Sequence, residues 1–134
     1  MNLLLTEDGV LKLGTYGLTT LSECYSLEIM NCDGVCSFAP EVFEGEYEMK
    51  SDVWSLGIAL LEMMGMRPYD GRGCLWILME IRGCRLPFKE EDIESAQLID
   101  FLKKCFEKKE ERWNVNELLN VSEMRGRMMS SIHL

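Results

Sequence analysis

Twelve residues in the middle of the chain constrain its fold most. From Val53 to Met64 the sequence reads Val-Trp-Ser-Leu-Gly-Ile-Ala-Leu-Leu-Glu-Met-Met, apolar on nearly every side of a helix. A helix of that kind belongs at the centre of a core, not on a surface. Ser51 and Asp52 offer it a start, Gly65 a stop, and Pro68 follows at the expected distance. The run carries Glu62 and falls far short of the ~20 apolar residues a bilayer requires, so a membrane span is excluded. With 134 residues the chain has the length of one ordinary domain. Such a chain buries about two-thirds of its unfolded surface, enough for a core without staples.

Elements on either side follow from local pattern. Leu3-Leu4-Leu5, then Thr6-Glu7-Asp8-Gly9, then Val10-Leu11-Lys12-Leu13 predicts a hairpin, because Asp-Gly between apolar runs supplies the positive φ a tight turn needs. Residues 14–38 have no period and read as a long loop, the kind that usually carries function. Pro40 suits the first turn of a short helix over residues 39–45. Cys74 to Ile81 is a short amphipathic helix. Glu91 to Phe106 places Ile93, Ala96, Leu98, Ile99, Leu102, Cys105 and Phe106 at helical spacing. Asn114 or Asn116 caps a last helix through Leu118-Leu119. One hairpin followed by helices predicts a mainly α fold.

Charge and cysteine usage remove several function classes. Net charge is −9, and residues 1–66 hold eleven acids against two bases. Phosphate-backbone binding needs a basic footprint, so no nucleic-acid partner is expected. Six cysteines at 24, 32, 36, 74, 84 and 105 show neither CxxC nor a disulfide framework. The start, MNLLLTEDG, turns polar after three leucines and is no secretory signal. Reduced thiols and a cytoplasmic location are expected. Cys32, Cys36 and His133 lack zinc-ligand spacing, and His133 reads as a solvated terminal residue. Met63, Met64 and Met66 read as core filler, Tyr47 and Tyr69 as loop anchors.

Three ordered segments resemble the C-terminal lobe of eukaryotic protein kinases, of the serine/threonine type. Asn2-Leu3-Leu4-Leu5-Thr6 through Lys12-Leu13-Gly14-Thr15-Tyr16-Gly17-Leu18 looks like the end of the HRDxxxxN catalytic loop, a hairpin and the Asp-Phe-Gly motif. Phe38-Ala39-Pro40-Glu41-Val42 is similar to the Ala-Pro-Glu that closes the activation segment. Lys50-Ser51-Asp52-Val53-Trp54-Ser55-Leu56-Gly57 resembles the start of the family's central helix, and Arg112 stands where the family has a late arginine. The resemblance covers essentially the whole chain. It implies a hairpin over 1–14, an activation-segment-like loop over 15–41 and a helical C-lobe over 42–134. It also implies ATP and Mg²⁺ as family cofactors. Asn2 would be a neutral oxygen ligand for Mg²⁺, and Leu3 and Leu4 a floor under the adenine, with Met63 behind them. Asp52 would cap the buried helix and hold the catalytic-loop backbone. Glu41 and Arg112 would form a buried ion pair, and Trp54 and Gly57 would let the helix pack closely.

Departures from the family pattern carry as much as the matches. Thr15 takes the place of the Mg²⁺-binding Asp, and a neutral hydroxyl is a much poorer ligand. Tyr16 replaces the Phe. The catalytic Asp of HRDxxxxN, the Gly-rich loop, the ATP-anchoring Lys and its partner Glu have no counterpart in the 134 residues. Gly34-Val35-Cys36-Ser37-Phe38 is one residue short of the family's substrate-docking stretch. Thr19, Thr20, Ser22, Tyr25 and Ser26 lie where activating phosphorylation falls. The resulting expectation is a pseudokinase-like C-lobe fragment with no functional catalytic residue, unable to transfer phosphate alone. One alternative is a truncated piece of an ATP-dependent serine/threonine kinase, another a helical interaction or scaffold module. The expected partner is a protein or the missing kinase N-lobe.

Overall fold

The computed structural model describes residues 3–13 and 36–120. The chain divides into two compact units, Met1–Met30 and Asn31–Leu134.

In the first unit, β1 (Leu3–Leu5) pairs antiparallel with β2 (Leu11–Leu13). Leu3 faces Leu13, Leu4 faces Lys12 and Leu5 faces Leu11. The turn is longer than a two-residue Asp-Gly loop. Gly9 N–H donates to the Thr6 carbonyl (2.9 Å), Thr6 and Val10 close the loop, and Gly9 takes φ +77°. A turn closed onto a left-handed glycine matches the twist of the strands it joins.

The second unit is helical. Pro40–Glu44 forms a 3₁₀ turn that ends at Gly45, φ +83°. Helix α1 spans Met49–Met63, α2 Cys74–Arg82, α3 Ala96–Cys105 and α4 Val115–Leu119, with a second 3₁₀ turn at Glu90–Asp92. Helix α1 packs against α3 and α4, and α2 packs against the first 3₁₀ turn. Val53, Phe101, Cys105 and Leu118 form one buried cluster between α1, α3 and α4.

Helix α1 ends in a Schellman motif. Met66 N–H reaches the Leu61 carbonyl (3.0 Å) and Gly65 N–H the Glu62 carbonyl (2.9 Å). Helix α2 ends the same way, through Arg85 N–H to Glu80 and Cys84 N–H to Ile81. There the left-handed position is held by Cys84, φ +47°, and not by glycine.

Several expectations are corrected. Helix α1 starts at Met49, so Asp52 lies one turn inside it, exposed, and does not cap it. The start is set by Glu48, whose N–H donates to Ser51 Oγ (3.3 Å). The helix is not buried all round. Val53, Trp54, Gly57, Ile58 and Leu61 face inward, while Leu56 is exposed and Met63 is 57% exposed. The described helices cover one side of α1 only. Met63 and Met64 are therefore surface residues, not core filler. Tyr47 is exposed, whereas Tyr69 is buried. The stretch from Glu91 to Phe106 is two elements, because Ser95 Oγ accepts from Leu98 N–H (3.3 Å) and starts α3 afresh. Asn114, and not Asn116, caps α4, accepting from Glu117 N–H while Glu117 returns a carboxylate to Asn114 N–H. Cys74 is disulfide-bonded, so the expectation of reduced thiols fails at that position. Among the described residues no helix is long and apolar enough to cross a membrane.

Candidate functional site

Among the described residues, a dense set of hydrogen bonds and ion pairs joins residues 41–51 to residues 107–112. Its centre is Arg112, fully buried. Nη1 donates to Glu41 Oε1 (2.5 Å) and Nη2 to Glu41 Oε2 (3.1 Å), a bidentate pair. Nη1 also reaches the Lys50 carbonyl, and Nε the Glu107 carbonyl, both at 3.1 Å. All three guanidinium nitrogens are therefore satisfied, which is the condition for burying this charge without a large penalty.

Local sequence puts Glu41 there. Pro40 opens the 3₁₀ turn with a fixed φ, and Glu41 follows on its buried side. Ser51, at the third position of α1, donates its hydroxyl to Glu41 Oε1 (2.8 Å). One serine thus links the helix start to the carboxylate. Burial alone pushes the Glu41 carboxyl up. The hydrogen bonds from Arg112, its own backbone N–H and Ser51, with the Arg112 charge, outweigh that and hold it below the usual carboxylate range.

The ion pair rests on an aromatic and a close helix crossing. The Arg112 guanidinium lies 5.1 Å from the Trp54 ring centroid. Trp54 meets Phe106 edge to face at 5.1 Å, and its Nε1 has no hydrogen-bond partner among the described residues. Gly57 sits against the same phenyl ring. A Cβ there would lie 2.7 Å from Phe106 Cζ and 2.9 Å from Cys105 Cβ. Burial pushes the Cys105 thiol up to about 12, so it stays protonated and is no nucleophile.

Further ties flank the pair. Lys50 Nζ donates to the carbonyls of Lys109 (3.1 Å) and Glu110 (3.3 Å). Lys109 Nζ bridges Glu46 (2.6 Å) and Glu48 (2.8 Å). Ser55 Oγ donates to the Ser37 carbonyl (2.7 Å), holding the entry to the 3₁₀ turn against α1.

Glu41, Trp54, Gly57 and Arg112 therefore join one contiguous set of contacts, and Asp52 stands outside it. Leu4 belongs to the hairpin unit and is 56% exposed. Asn2 and Thr15 lie outside the described residues, as do Thr19, Thr20, Ser22, Tyr25, Ser26, Cys32 and His133. Sequence reasoning read Ser51 only as a helix start, and gave no role in these ties to Lys50, Lys109, Glu46 or Glu48. Ser51 at the third helical position was the one legible signal. The lysine ties span 59 to 63 residues and have no local signature. No group of three or more metal-ligating side chains occurs among the described residues.

A helical unit packed on one side of a long apolar helix, closed by a buried glutamate–arginine pair and following a β-hairpin in the chain, is the arrangement expected of the C-terminal lobe of a protein kinase. The chain belongs to the protein tyrosine and serine/threonine kinase family, whose family model matches residues 1–121. It is similar to the serine/threonine-protein kinase BCK1/SLK1/SSP31 of Saccharomyces cerevisiae, 35% identical over 129 residues, 89% of this chain and 9% of that protein. It resembles the serine/threonine-protein kinase ppk11 of Schizosaccharomyces pombe, 35% identical over 112 residues, 80% of this chain and 35% of the relative. The serine/threonine-protein kinase hippo of Drosophila melanogaster is 33% identical over 136 residues, 98% of this chain and 20% of its own length. The chain thus spans between 9% and 35% of these relatives.

Proposed function

We propose that this chain acts as a pseudokinase-type C-lobe, binding and positioning protein partners without transferring phosphate itself. The observation that carries the reading is Thr15, at the position matched to the family's metal-binding Asp. Phosphoryl transfer depends almost wholly on positioning and electrostatics. The donors left at the two matched positions are the Asn2 carboxamide and the Thr15 hydroxyl, both neutral. That set does not fit Mg²⁺, which is held through carboxylates and substrate phosphates. Residues 15–41 then serve as an activation-segment-like loop, and the Glu41–Arg112 pair anchors its end to the lobe.

A titration of the chain with ATP, with and without Mg²⁺, followed by thermal unfolding, tests this. One-site linkage would stabilise a binder by about 2.7 kcal/mol at a hundredfold excess over Kd. The expected result is no Mg²⁺-dependent shift and no phosphate transfer. A Mg²⁺-dependent shift that Asn2→Ala removes, together with transfer to a protein substrate, would sink the reading.

One observation favours a second reading. The relatives are serine/threonine kinases, and this chain covers only a part of each. In that reading the chain is a piece of an ATP-dependent kinase, cytoplasmic like the first reading's scaffold. Adding a kinase N-lobe in trans would then restore Mg²⁺-dependent ATP binding, which the first reading forbids.

A further inference from the structure

Tyr47 and Tyr69 both fall among the described residues, and the fold treats them oppositely. Tyr69 is 6% exposed, and its hydroxyl is sealed from solvent. Tyr47 is 55% exposed and stands in a run, Glu44 to Met49, in which every residue is exposed. The run has a structural cause. Gly45, φ +83°, ends the 3₁₀ turn, and α1 begins only at Met49, so residues 46–48 belong to no helix or strand. Glu48 has an extended backbone, φ −132° and ψ 162°. An exposed stretch of extended chain is a form that another protein's cleft can receive.

The charge around Tyr47 is one-sided. Glu44, Glu46 and Glu48 flank it, and from Ser37 to Leu61 five acids stand against the single base Lys50. In space Lys109 joins them, its Nζ bridging Glu46 (2.6 Å) and Glu48 (2.8 Å). Lys108 and Lys109 are matched in the chain by Glu110 and Glu111, so the surroundings stay acidic. Glu44 makes no ion pair among the described residues. An enzyme that receives this segment therefore needs a basic groove.

We propose that Tyr47 is a phosphorylation site for a tyrosine-specific protein kinase whose substrate groove is basic. The phenolic oxygen attacks the γ-phosphorus of that enzyme's ATP. The new O–P bond forms as the bond to ADP breaks, and the phenolic proton passes to the enzyme's base. The product carries a charge of about −1.5 to −2 at neutral pH, next to two carboxylates that share one ammonium. It competes with them for Lys109 and loosens the tie between residues 46–48 and Lys109. The chain is the acceptor in this step, so the proposal stands whether or not it transfers phosphate itself.

The test incubates the folded full chain with ATP labelled at the γ-phosphate and an added tyrosine kinase, and maps the label by mass spectrometry of peptides. A reaction without added kinase sets the background. A kinase that prefers glutamate-rich substrates should label Tyr47, and one that prefers basic substrates should do so far more slowly. Tyr47→Phe should remove the label, and Glu44→Gln should slow it several-fold. Tyr69 should take label only after the chain is unfolded. The phosphorylated chain should melt at a lower midpoint than the unmodified one, by a gap that salt narrows. The proposal is overturned if the folded chain takes no label at Tyr47, or if label falls on Tyr16 or Tyr25 alone. Label at Tyr47 that appears only on unfolding overturns it too, as does a rate that Glu44→Gln leaves unchanged. An unchanged melting midpoint overturns the loosening of the Lys109 tie.

Discussion

Arg112 holds three backbone or side-chain partners besides its aromatic neighbour, and among the described residues Glu41 makes no other ion pair. Replacing Arg112 by leucine leaves a buried carboxylate without a counter-charge. Such a change costs about 3–5 kcal/mol, read by chemical denaturation. Replacing both residues, Glu41 by leucine and Arg112 by methionine, should recover much of that loss, since apolar pairs of similar volume often match buried ion pairs. A second residue-scale effect concerns Cys84. A left-handed backbone costs a non-glycine residue roughly 1–2 kcal/mol. Cys84→Gly should therefore stabilise the chain by about 1 kcal/mol, and an unchanged denaturation midpoint would contradict this. The pairing of Glu41 with Arg112 was legible only through the family resemblance. No pattern of residues 71 apart announces a bond. Cys84 was illegible for a different reason: a turn that favours glycine was filled by a residue that does not signal it.

At the scale of elements, the crossing of α1 and α3 turns on Gly57. Alanine is the better helix former by about 1 kcal/mol, so propensity alone favours Gly57→Ala. Sterics oppose it, because the new methyl would overlap both the Phe106 ring and Cys105 Cβ. Overpacking typically costs about 1–3 kcal/mol, and the cysteine Cβ is fixed to its backbone, so sterics win. The variant should be less stable, with a lower thermal midpoint. A rise in that midpoint would show that the helices part more easily than the contacts imply. The existence of α1 was plain from its unbroken apolar run. Its start was not, because the deciding bonds come from Glu48 before it and from Glu41 across the turn. Helix α3 shows the reverse problem. The apolar period runs smoothly through Ile93, and only the Ser95 cap reveals the break.

Across the whole molecule, acid acts in two ways. The folded pKa of Glu41 lies below its unfolded value, about 4.3. Its contribution to stability is therefore complete above that value and lost as pH falls through the lower folded one. Net charge vanishes near the sequence pI of about 4.6, where repulsion between molecules is weakest. On acidification the protein should turn turbid near pH 4.6 while circular dichroism is still native, and unfold only at lower pH. Unfolding that precedes turbidity would contradict this order. The acidic first half was legible from composition. The one-sided cover of α1 was not, because periodicity counts apolar positions and not the elements available to cover them. The Glu41–Arg112 pair also constrains how sequences like this one can diverge. Either substitution made first strands a charge in the core, and only the second relieves it. The two positions are then expected to change together or not at all, so a lineage that escapes the pair must cross a fitness valley as deep as that single buried charge.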